Sequence, residues 1–155
     1  MDINIFTFIL IYLLLFIVYW IIPKVLTPIE RTGCYLISVI IVHDWVNIAT
    51  VNLHILELSQ QFYKSMIFSI NKIFLFPITL LLFLEVFLFV NNRTKKIVVM
   101  ILGISTILFL DFSNKRLGII TYTNWTSWNT LLFWLSFSIL LYSVFRLFHY
   151  LQKER

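Results

Sequence analysis

The chain has 155 residues, 61% of them apolar and only 12% charged, with a net charge of +5. A soluble domain of this length has too much surface for its volume to hide so much apolar side chain, so the composition excludes an ordinary soluble globular protein and points to the bilayer as solvent. The basic residues lie between apolar runs and form no patch with interleaved aromatics, which speaks for topology signals and anionic lipid headgroups and against a nucleic-acid partner.

The expected fold class is all-α: a polytopic helical membrane bundle of about five transmembrane helices forming a single domain over residues 1–155. The first apolar run, residues 3–22, closes at Pro23-Lys24. Twenty residues at a rise of about 1.5 Å cover the hydrocarbon core of about 30 Å. The run is too long for a signal peptide and has neither a basic n-region nor a small-residue cleavage site, so it reads as a retained span. Residues 24–32 read as a linker to the second span, about 33–56.

That second span carries the most chemistry. On a 100° wheel His43, Asn47, Thr50, His54 and Glu57 fall within about 80° of one another, with Asp44 beside them. Such a face should meet other helices or a water-filled cavity, and Asp44 is expected near the bilayer centre. Residues 57–72 read as an amphipathic segment along the interface. The third span, about 73–90, holds Pro77, which should kink or restart the helix, and Glu85, which should snorkel toward Lys95, Lys96 or Arg146. The fourth run, 97–112, has only fourteen residues before Asp111 and is expected to be short or tilted. The last span covers about 130–148.

A second candidate cluster is an interfacial rim of Lys72, Asp111, Lys115, Arg116, Tyr122, Trp125 and Trp128, in which Asp111 and Lys115 have the spacing of a supportive helical pair. The single Cys34 excludes an internal disulfide and a Cys-rich metal site. No metal-binding, phosphate-binding or nucleophile motif is present, so the expectation is no cofactor and no metal. With five spans, Lys24, Arg31, Arg93, Lys95, Lys96, Arg146, Lys153 and Arg155 fall on one side and Lys64, Lys72, Lys115 and Arg116 on the other. Eight against four places the N-terminus outside and the C-terminus in the cytoplasm of a cell membrane.

Two stretches carry a likeness. Asn71-Lys72 is followed five residues on by Pro77 within an apolar run, and Gly118 to Trp128 feeds a Phe/Trp-rich final helix with a basic tail. Over about residues 35–150 the chain resembles a family of small uncharacterised multi-span membrane proteins of spore-forming, low-GC Gram-positive bacteria. The resemblance implies the architecture and brings no activity. The expected role is structural or accessory in a bacterial cytoplasmic membrane, with anionic lipid, a homo-oligomer or another membrane protein as partner. The alternative is a small transporter or membrane-embedded enzyme exchanging protons along His43, Asp44, Asn47, His54 and Glu57.

Overall fold

In the computed structural model, residues 3–153 are described. Six helices and two short strands follow in order: α1 (Ile3–Ile21), α2 (Pro28–Asn47), β1 (Leu56–Leu58), α3 (Phe62–Ile70), α4 (Phe76–Phe89), α5 (Arg93–Arg116), β2 (Ile120–Tyr122) and α6 (Ser127–Lys153). Two wider π-type turns, Ile48–Asn52 and Asn71–Leu75, extend α2 and join α3 to α4 without a break. Four rods result that are long and apolar enough to cross a membrane: Pro28–Asn52, Phe62–Phe89, Arg93–Arg116 and Ser127–Lys153. The chain is thus an all-α helical bundle of membrane-spanning type, with α1 as a further apolar helix.

Several boundaries differ from the sequence reading, each for a local reason. The second span starts at Pro28 because Thr27 caps it. Its hydroxyl accepts from the Glu30 N–H, the Glu30 carboxylate accepts from the Thr27 N–H at 2.8 Å, and Pro28 occupies the first turn. Residues 62–72 are not an interfacial segment but the first part of the third span. Pro77 has no N–H to give the carbonyl of Ile73, and the π-turn ahead of it absorbs the change of register. The Tyr35 hydroxyl donates to that carbonyl at 3.0 Å and ties α2 to the π-turn.

The fourth span is neither short nor stopped by Asp111, since α5 runs for 24 residues, about 36 Å at 1.5 Å rise. Its polar positions are satisfied inside the bundle: Asp111 accepts from Tyr122, and Asn114 donates to the Leu110 carbonyl and accepts from the Asn71 amide at 2.7 Å. Asn71 accepts in turn from Tyr12 of α1, so a polar ladder crosses three helices.

The strands were not anticipated. Leu56, Glu57 and Leu58 pair antiparallel with Tyr122, Thr121 and Ile120, closing one end of the bundle, here called the strand end. The opposite end, where the α1–α2 connection, the end of α4 and the end of α6 meet, is the Glu85 end. The core lies between α2, α4, α5 and α6 and includes Val42, Leu80, Ile107, Trp134 and Leu141. α1 packs on it through Ile11, Tyr12, Leu15 and Tyr19. Glycine allows close approach twice: a Cβ on Gly33 would meet the Phe148 ring at 2.8 Å, and one on Gly103 the Phe83 ring at 2.9 Å. Small residues at such crossings let helices pack in lipid, where water gives no driving force.

Candidate functional site

The seam by which α2 enters the bundle is Cys34, Ser38, Val42, Val46 and Ala49, all buried. His43, Asp44 and Asn47 lie off that seam and are exposed, which corrects the expectation that they face other helices or a cavity. The helical wheel also breaks down beyond Asn47. The π-turn adds a residue to the register and the helix stops at Asn52. His54 then takes a left-handed φ of 50°, and Glu57 belongs to β1. The His54 carbonyl accepts from the Thr123 hydroxyl at 2.6 Å, so its backbone serves the strand pairing. Asp44 stands sixteen residues beyond Pro28, about 24 Å along the helix. It is therefore not at mid-bundle but toward the strand end, beside Trp45, which stacks on Phe133 and meets Trp125.

Glu85 is the buried carboxylate, 1% exposed. It does not reach Lys95, Lys96 or Arg146. It accepts from the backbone N–H groups of Val25 and Leu26 at 2.6 and 2.9 Å and pairs with Arg31 Nε at 2.9 Å. Arg31 also donates to the Leu26 carbonyl. The residue before Arg31, the buried Glu30, meets His149 Nδ1 of α6 at 2.9 Å, and Gln152 lies 3.1 Å from the Thr27 hydroxyl. One carboxylate thus holds the α1–α2 connection against α4, and the other holds the start of α2 against α6. Glu30, Arg31 and His149 were missed in the sequence. Their signal was the Thr27-Pro28-Ile29-Glu30 pattern of a capping box, which marks a helix start where a linker was read.

At the strand end Asp111, Tyr122 and Trp125 of the expected rim converge, while Lys115, Arg116 and Trp128 are exposed and Lys72 is half-buried. Asp111 is 8% exposed. Both its oxygens face the one Tyr122 hydroxyl, at 2.8 and 3.0 Å. Lys115 makes no ion pair within 4 Å of Asp111 among the described residues, but its charge acts on the carboxylate from further off, as the helical spacing suggests. Burial first, and then the Asp111 charge, push the Tyr122 phenol above its ordinary value, so it remains a donor. The Trp125 indole N–H donates to the Thr130 hydroxyl at 2.9 Å. Between these groups lies a cavity of about 20 Å³, whose lining includes Trp45, Phe76, Phe133 and Trp134.

Two larger recesses, of about 690 Å³ between α1 and the α3–α4 rod and about 220 Å³ among α4, α5 and α6, are lined almost wholly by apolar side chains. Among the described residues no three of His, Cys, Asp or Glu gather as metal ligands would.

Fold and sites together define a polytopic helical membrane protein with a charge-clamped end and an aromatic, acid-bearing end. No known protein family, curated protein or solved structure matches the chain.

Proposed function

We propose that this chain is an integral membrane protein with a structural or accessory role, not a transporter or enzyme working along the polar face of α2. One observation carries the reading: Glu30, Glu85 and Asp111 inside the bundle are engaged with other parts of the chain, while His43, Asp44 and Asn47 of α2 face away from it. Proton exchange needs a hydrated route between titrating groups, and Asp44 borders no cavity described above. The test is proton leak in vesicles carrying a pH gradient. The expected result is the same slow leak with wild-type protein, with H43Q/D44N and with no protein. A wild-type leak abolished by D44N would overturn the reading.

The same proposal includes a bacterial cytoplasmic membrane, the kinship with small multi-span proteins of spore-forming bacteria, and an N-terminus outside. The charge balance supports the orientation. The Glu85 end and its flanks carry Lys24, Arg31, Arg93, Lys95, Lys96, Arg146 and Lys153, against Lys64, Lys72, Lys115 and Arg116 nearer the strand end. Anionic headgroups and a second membrane protein or another copy of this chain are the proposed partners. Single cysteines at Asn92 and Lys153, in a Cys34→Ser background, should both be shielded from an impermeant thiol reagent in intact cells.

A further inference from the structure

The cavity at the strand end sets a buried carboxylate among aromatic and aliphatic side chains. Asp111 is more than nine-tenths buried, and its two oxygens share the single proton of the Tyr122 hydroxyl. An ionised carboxylate offers about four acceptor positions, and a hydroxyl can fill only one at a time. The other polar groups of the lining are already engaged: the Trp125 N–H is spent on Thr130, and the Thr130 hydroxyl lies 3.5 Å from the Thr126 carbonyl. The rest of the lining is apolar, with Val42, Val46 and Leu56 beside aromatic rings, among which Trp45 stacks on Phe133 and Phe133 meets Trp134 edge-on. A neutral polar ligand would find one acceptor and no free donor, and an anion would meet a carboxylate. A hard metal ion seeks six or more oxygens, and here there are a carboxylate and a hydroxyl. An ammonium group suits both parts, since it donates to the carboxylate and is attracted by aromatic faces.

Size narrows the class. A volume of about 20 Å³ admits a group as large as water, for which about 10–15 Å³ suffices, and leaves no room for a quaternary ammonium. We propose that this cavity binds a primary ammonium group, R–NH3⁺ with a slender R, through Asp111 and the surrounding aromatic rings. The group could be carried by a free amine or by an aminophospholipid headgroup, because the cavity lies at the aromatic-rich end of the bundle.

Methylammonium is the probe, added to the full-length protein in detergent and followed by tryptophan fluorescence, since Trp45, Trp125 and Trp134 line the cavity. Saturable quenching is expected with methylammonium but not with sodium or tetramethylammonium at equal ionic strength. D111N should weaken the binding at least tenfold. Y122F keeps the carboxylate and removes its competing donor, so it should bind at least as tightly as wild type; its melting curve checks that it is folded. No saturable signal, an equal response to tetramethylammonium, or unchanged affinity in D111N would overturn the proposal. Nanodiscs separate the sources. Weaker apparent methylammonium affinity in phosphatidylethanolamine than in phosphatidylcholine supports the headgroup, and equal affinity in both supports a free amine.

Discussion

At the Glu85 end a buried carboxylate meets three donors, two from backbone and one from Arg31, whereas at the strand end Asp111 meets the lone hydroxyl of Tyr122. Both acids are buried. The first is closed by partners from distant parts of the chain, whose three donors fill most of its acceptor positions. The second is held among aromatic rings beside a cavity, with acceptor positions left over. A buried acid in a membrane bundle is therefore not functional by burial alone; what matters is whether the fold has already supplied its donors.

The largest effect should come from breaking the closed end. Glu85→Gln removes the charge partner of Arg31 and replaces one acceptor oxygen with an NH2 group that faces another donor. Losing one member of a buried pair costs about 3–5 kcal/mol, with the lower figure apt here because the Arg31 side chain is 23% exposed. The check is thermal unfolding in detergent, and E85Q/R31M should recover part of the loss. A Glu85→Gln melting curve matching wild type would dissolve the contrast between the ends.

Next in size is Tyr122→Phe. It takes from Asp111 the only donor it has among the described residues, and a hydrogen bond to a charged group contributes about 1.5–3 kcal/mol. A saturating primary amine should restore part of that melting temperature, while it should do nothing for E85Q.

Between the ends, Tyr35→Phe leaves the Ile73 carbonyl in the π-turn without its hydroxyl donor, an expected loss of about 1 kcal/mol. Smallest is Asp44→Asn, expected within about 0.5 kcal/mol of wild type because Asp44 is exposed and enters no hydrogen bond or ion pair among the described residues. A loss above 2 kcal/mol there would show that α2 is covered by a partner in the membrane.

The sequence by itself determined the solvent, the helical class and most of the spans. Apolar runs near twenty residues and scarce charge leave few other ways to satisfy a backbone in hydrocarbon. It also marked Pro77 as a point where the third span changes its helical register and put Asp111, Tyr122 and Trp125 in one rim. Only the tertiary structure decided which polar groups face inward. A helical wheel ranks faces by polarity, but α2 packs by its small seam of Cys34, Ser38 and Ala49, so His43 and Asp44 turn outward. The π-turns shift the register by a residue, and no wheel drawn at 100° anticipates them. The partners of Glu85 and Asp111 lie up to 60 and 11 positions away, and distance along the chain carries no record of which donor arrives. Whether a buried acid becomes a clamp or a binding group is thus settled by packing, since hydrogen bonds depend on ångström geometry that composition and periodicity do not encode.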